Sequence, residues 1–187
     1  SVAWWDISLF DTQPAARLGA NRELLASGRL DNLVSCWAAV TALCATSPSE
    51  QLQVIVLNDH EEVGSASATG AGGPTLEQVL TRIVAARGGT NADLARALSQ
   101  SMCISADNAH ALHPNYPDRH DHSHAPVVNK GPAIKVNVNQ RYATSSISAQ
   151  RYAALCEAAG LQTQVFSSRN NIPCGSTIGP ITATRLG

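Results

Sequence analysis

Residues 53–65 read QVIVLNDHEEVGS. The run from Val54 to Leu57 is short, continuous, apolar and rich in β-branched side chains, which predicts a strand buried on both faces of a sheet. It empties at once into Asp59, His60, Glu61 and Glu62 and turns at Gly64. Adjacent carboxylates repel, so a chain that sets them where a buried strand ends needs positive charge there to hold them. A metal ion would supply it. The plainer alternative is a solvated turn with a stray acidic pair, and spacing alone does not separate the two.

Upstream of this stretch, SGRLDNLVSCWAAVTALCATSPSE places Leu33, Cys36, Trp37, Val40, Leu43 and Cys44 at helical spacing, with Pro48 past the end. What precedes it reads as an extended opening. Downstream, the small-residue loop GSASATGAGGP leads to TLEQVLTRIVAARGG, where Leu76, Val79, Leu80, Ile83 and Val84 make one helix face and Gly88 stops it. Asn91 is expected to cap a short helix through Leu98, and MCISAD then reads as a second strand ending in a carboxylate, Asp107. A polar loop follows with five of the six histidines. Next come the strand PAIKVNV, a helix from about Ala149 to Ala159 capped by Ser148 and closed by Gly160, the strand LQTQVFSS and a glycine-rich tail, CGSTIGPITATRLG. Strands alternating with helices imply an α/β fold, a layered mixed sheet flanked by helices, without internal repeats.

At 187 residues and 44% hydrophobic, the chain suits one cored domain. Thirteen basic against fourteen acidic side chains give a net charge of −1, which offers no electrostatic case for nucleic acid or an anionic membrane. A small molecule or a protein is the expected partner. The five cysteines are odd in number, widely spaced and without a C-x-x-C pair, a pattern that suits a reducing cytoplasm. The opening SVAWWDISLF has no basic leader, and no segment reaches the roughly 18 apolar residues of a spanning helix. A soluble, cytoplasmic protein is expected. Its first residue, Ser1, hints at a chain that begins within a longer protein.

In open α/β sheets ligands gather outside the carboxyl ends of strands, where Glu61, Glu62 and Asp107 are predicted to lie. Asp31 opens the first helix and could join them, or could simply serve that helix as a cap. Four carboxylates in one place call for one or two divalent cations. A two-metal hydrolytic site needs a bridging carboxylate, a terminal carboxylate on each ion and an unligated base beside the water, and this set has that membership.

At SGRLDN, DHEEVGS, SADNAHALHPNY, GPAIKVNVNQRYAT and CGSTIGPI the sequence resembles the aspartyl aminopeptidase family, in the family's order and over nearly the whole chain. The fold so implied is an aminopeptidase/phosphorylase-like catalytic domain. The activity is metal-dependent removal of an N-terminal Asp or Glu from peptides. The cofactors are two divalent metal ions, zinc, with manganese or cobalt as alternatives. The resemblance makes Asp31 the bridging ligand, Glu61 the general base, Glu62 a terminal ligand of one ion and Asp107 of the other. It also implies a cis peptide after the bridging aspartate, at Asp31–Asn32, so that a trans bond there would count against Asp31. An acidic substrate requires a cation in its pocket. Lys135, between Ile134 and Val136, would by itself read as a solvent-facing lysine on an edge strand. The resemblance instead makes Lys135 and Tyr142 substrate contacts. Of His110, His113, His120, His122 and His124, none is expected to be a principal metal ligand, and His113 is the candidate for a polar role at the site or in ordering its loop.

Family members also use two histidines, one in an H-x-D segment upstream of the bridging aspartate and one near the C-terminus; neither occurs here. The family's intersubunit domain is missing as well. The chain is thus expected to be an incomplete catalytic domain spanning residues 1–187, binding metal weakly and hydrolysing little alone, within a full-length enzyme that forms homo-oligomers. Two alternatives stand beside it: a non-catalytic binding or assembly module, and another two-metal amidohydrolase of the same fold, a deacylase or dipeptidase.

Overall fold

The computed structural model describes residues 2–172, 175 and 178–187. Its residues group into two compact units, Ser1–Gln53 and Val54–Gly187.

The first unit holds an antiparallel hairpin, β1 (Ala16–Leu18) with β2 (Leu24–Ala26), in which Arg17 faces Leu25. The hairpin replaces the expected extended opening. Its turn uses the left-handed backbone of Gly19 (φ 96°) and Arg22 (φ 57°), and the Arg22 amide donates to the Gly19 carbonyl at 3.1 Å. Helix α1 runs from Leu30 to Ala45. No side chain caps it; Arg29 precedes it in a left-handed conformation, and Asp31 in the first turn offers negative charge to the exposed amide end. The Asp31–Asn32 peptide is trans, as are all those described, against the expected cis bond. It lies inside the first turn of α1, where a continuous helical backbone and the Leu33 amide bond to the Arg29 carbonyl (3.0 Å) require trans geometry.

In the second unit the helices follow the sequence pattern. Helix α2 spans Thr75–Ala86 and is stopped at Gly88 (φ 78°). Helix α3 spans Asn91–Ser99, but its cap is Thr90, whose hydroxyl and the Asp93 carboxylate satisfy each other's backbone amides as a capping box; Asn91 is already helical. Strand β3 (Ala133–Lys135), helix α4 (Ser146–Ala158) and strand β4 (Gln164–Phe166) form a parallel crossover unit, pairing Lys135 with Phe166. Helix α4 begins earlier than expected because Ser145 is its cap and Ser148 is the third residue of the box, not the cap itself. Ala149, Tyr152, Ala153 and Cys156 make its less exposed face. Cys156 and Phe166 are buried, and so is Tyr142, whose ring meets Phe166 edge-on at 6.3 Å. The tail is not loop: α5 occupies Ile178–Leu186. Gly179 lies so near Ser105 that an added Cβ would be 3.0 Å from its Cβ, and Arg185 bonds the Gly72 carbonyl (2.8 Å) and Glu77 (3.1 Å).

Among the described residues two expected strands, LQVIVLN and MCISAD, join no ladder; an isolated bridge between Asp59 and Gly70 follows the first of them. Val54, Leu57 and Ile104 in them are about half exposed. A strand is fixed by the partner that takes up its backbone hydrogen bonds, and no described segment does so here. The architecture is therefore mixed α/β with two small sheets and flanking helices. Among the described residues no helix is long and apolar enough to cross a membrane, and Cys36, Cys44, Cys103 and Cys156 are free thiols.

Candidate active site

The acidic pair sits on a folded loop, not a strand end. Left-handed His60 and Ser65 (φ 59° and 60°) and Gly64 (φ 100°) wrap the chain around Glu61 and Glu62, with the Gly64 amide bonded to the Glu61 carbonyl at 2.9 Å and the Ser65 amide to the His60 carbonyl at 2.7 Å. Ser65 is buried, and its carbonyl lies where a Cβ on Gly70 would be, 2.4 Å away. That close approach explains why the acids are followed by glycine and small residues: a bulkier chain could not fold back on itself there. His60 Nδ1 and Ser67 Oγ share a hydrogen bond of 2.8 Å, and Thr75 at the start of α2 bonds the Ala68 carbonyl at 2.7 Å. Glu61 is partly buried and Glu62 exposed.

Asp107 is brought to Lys135. The lysine Nζ donates to Asp107 Oδ2 and, at 2.9 Å, to the Asn108 carbonyl, and lies 5.6 Å from the centre of the Tyr142 ring. Lys135 is the last residue of β3 and only 13% exposed, so it is not the solvent-facing edge lysine of the plainer alternative. Its position at the carboxyl end of a parallel strand is where α/β folds collect ligands.

Beyond the Tyr142 ring lies a cavity of about 530 Å³. Its walls include Tyr142 and Phe166, Ser167 and Ser168 just after β4, and His110, His113, Arg119 and His120 from the histidine loop. His113 accepts the Asn115 amide on Nδ1 at 3.1 Å, which leaves Nε2 to carry the proton of the neutral ring, and it packs at 5.2 Å against Tyr116. His124 is elsewhere, paired with Asp121 at 2.7 Å; its hydrogen bond is the main cause that holds the Asp121 carboxyl below the ordinary range. The histidines thus shape a pocket wall, and sequence spacing missed Arg119, His110 and His120 in it. The available signal was the density of imidazoles around one arginine in a loop otherwise without catalytic pattern.

The second unit brings together Asp107, Lys135, Tyr142 and, through the cavity wall, His113. Asp31 belongs to the first unit. Among the described residues no three His, Cys, Asp or Glu side chains converge to hold a metal ion. The lysine ammonium on Asp107 holds the place a cation would take. On this donor set the described residues do not by themselves fit a metal centre. Cys174 and two more residues of the CGSTIGPI string lie outside the described residues.

A family model for aminopeptidase I zinc metalloproteases (M18) matches residues 1–187. A probable M18 family aminopeptidase 2 of Stutzerimonas stutzeri is 53% identical over 183 residues, 98% of this chain and 42% of the relative. The chain thus spans about two-fifths of the length of the curated relatives it matches. Among solved structures, one of an Ape4 and Nbr1 complex superposes with a TM-score of 0.84 at 38% identity, covering 94% of this chain and 34% of that one. The mApe1 dodecamer of S. cerevisiae gives 0.80 at 29%, covering 95% and 40%.

Proposed function

Because this chain belongs to the M18 peptidases, the aspartyl aminopeptidase family, we propose that it is part of a metal-dependent aminopeptidase that removes an N-terminal Asp or Glu from peptides. The observation that carries this reading is the cluster at the carboxyl end of β3: Lys135 against Tyr142, whose ring walls the same cavity as His113. The resemblance makes Lys135 and Tyr142 substrate contacts, and His113 is the candidate for a polar role beside them. An acidic side chain in that neighbourhood meets cationic and hydrogen-bonding groups, with aromatic rings holding its stem.

Glu61 is the general base. It takes a proton from the attacking water and returns it to the leaving amine, a task that suits a partly buried carboxylate on a hydrogen-bonded loop. The family's ions, two in number and zinc in this proposal, would polarise the scissile carbonyl and water. Asp31, Glu62 and Asp107 would be their ligands on the resemblance of their strings alone, completed by groups beyond the described residues, which do not converge on an ion by themselves. In keeping with the yeast dodecamer, the working enzyme is a homo-oligomer. It acts in the cytoplasm on free peptides.

The test is release of the first residue from an Asp-initiated peptide by the full-length enzyme containing this chain, supplied with zinc, beside its Glu61→Gln variant. Turnover is expected to fall at least ~100-fold in the variant while its metal content stays the same. A variant that keeps its turnover removes Glu61 from the mechanism.

A further inference from the structure

The loop that carries Glu61 is closed by side chains as well as by backbone. His60 Nδ1 and Ser67 Oγ share a hydrogen bond of 2.8 Å, and Thr69 Oγ1 donates to Asp59 Oδ2 at 3.2 Å. His60 immediately precedes the proposed general base, and its backbone is left-handed (φ 59°), a conformation that few residues other than glycine adopt. We infer that His60 and Ser67 are a positioning pair for Glu61, an inference that rests on the general-base reading above. Their bond holds the His60 backbone left-handed and so fixes the direction in which the next residue's carboxylate leaves the chain.

The His60 carbonyl and the Glu61 amide belong to one planar peptide, so a rotation within His60 swings Glu61 as a rigid piece. That carbonyl accepts the Ser65 amide at 2.7 Å, and the Glu61 carbonyl accepts the Gly64 amide at 2.9 Å. Both bonds lie inside the turn. The imidazole reaches beyond it to Ser67, which is itself anchored: Ser67 Oγ accepts the Gly70 amide at 3.0 Å, and Gly70 bridges to Asp59, whose amide donates to the Thr69 carbonyl at 3.1 Å. A hydroxyl has one proton and two lone pairs, so after taking the Gly70 amide it keeps a proton and a lone pair for the imidazole, in either tautomer of the ring. The residue before Glu61 is thereby tied to the base of its own loop.

The pair serves geometry more than stability. His60 is exposed and Ser67 only partly buried, so their bond competes with water and adds little to the stability of the whole unit. Its effect is local. A general base works only within hydrogen-bond reach of the proton it takes, and a displacement of about 1 Å at such a group costs up to about 100-fold in rate. A non-glycine residue keeps a left-handed backbone where its surroundings hold it there, and the bond to Ser67 is the part of those surroundings that depends on the His60 side chain. Asparagine is the substitute that keeps both properties, since it tolerates the left-handed region and its amide can bond a hydroxyl.

The experiment is steady-state kinetics of the full-length enzyme containing this chain, supplied with zinc, on an Asp-initiated peptide. His60→Ala, Ser67→Ala, the double variant, His60→Asn and Glu61→Gln are compared with the wild type. Each alanine variant should lose about tenfold in kcat with KM within about twofold, keep its metal content and melt within about 2 °C of the wild type. The double variant should be no slower than either single one, because both changes remove the same bond. His60→Asn should recover most of the lost kcat. Should His60→Ala fail to fold, Ser67→Ala carries the test, since it breaks the bond and leaves residue 60 untouched. If Glu61→Gln abolishes turnover while the His60 and Ser67 variants keep their kcat, or if the two losses multiply in the double variant, the inference is overturned and the general-base reading stands. A Glu61→Gln variant that keeps its turnover overturns that reading, and the positioning role with it.

Discussion

Val54–Leu57 and the strands β3 and β4 are built from the same kind of residue: VIVL in one place, AIK and QVF in the other. Only the second set forms a ladder. Helix α4 returns the chain to lie beside β3, so Ile134 meets Val165 and the Phe166 carbonyl takes the Val136 amide at 3.0 Å. Residues 54–57 have no such return within the described chain, and Val54, Val56 and Leu57 are left 44%, 38% and 54% exposed. β-Branched apolar sequence is therefore a statement about what a segment could pair with; the connection decides whether it does. A chain covering about two-fifths of its relatives' length leaves such a segment room to find a partner elsewhere in a longer polypeptide.

The strongest way to break this contrast is to empty the paired region. Phe166→Ala removes a buried ring from beside Tyr142 and should cost about 4 kcal/mol in denaturant unfolding of the second unit, whereas Val56→Ala, 38% exposed in the wild type, should cost under about 1 kcal/mol. Equal losses would mean that both segments are packed alike. Next in size is Gly131→Ala. A Cβ there would sit 1.9 Å from the Gln162 carbonyl oxygen on a backbone with φ 96°, so a loss of roughly 3 kcal/mol is expected at the entry to β3 and β4, read as a lower melting temperature. A neutral result would show that the two strands can separate at their start without harm.

The smallest effect sharpens the contrast by locating local stability outside the ladder. The Thr90 hydroxyl, followed by the Thr90 amide and Arg96, holds the Asp93 carboxyl below its ordinary value of 3.8. A depressed folded pKa contributes stability above the unfolded value and loses it as pH falls through the folded one, so the start of α3 should loosen only below about pH 4. Amide chemical shifts at Thr90 and Asp93 report this, and Asp93→Asn should remove the pH dependence.

Periodicity made α1 and α2 legible, while α3 and α4 were read from their capping residues and, for α4, from Gly160 at its end. Helix α5 was hidden because Gly179, Pro180 and two threonines speak against a helix; contacts with Ser105, Gly72 and Glu77 hold it in spite of that composition. The β1–β2 hairpin was missed because its turn relies on Arg22 in a left-handed conformation, which side-chain identity does not announce. At the site, Lys135 could be singled out as an oddity in a strand, but its pairing with Asp107 joins residues 28 apart in sequence and is a product of the fold. The place of Arg119 in the cavity wall was invisible for the same reason: it depends on which wall the loop reaches.

Gln164 carries a different kind of vulnerability. Its side-chain amide accepts the Val127 N–H at 2.8 Å and donates to the carbonyls of Val127 and Gly131 at 3.1 and 2.9 Å, so one primary amide clasps the loop that precedes β3. Slow deamidation would swap its NH₂ for a second acceptor oxygen and leave a carboxylate facing two carbonyls. A change of one mass unit at a single glutamine would then unfasten the approach to β3, making Gln164 a marker of chemical ageing in stored protein.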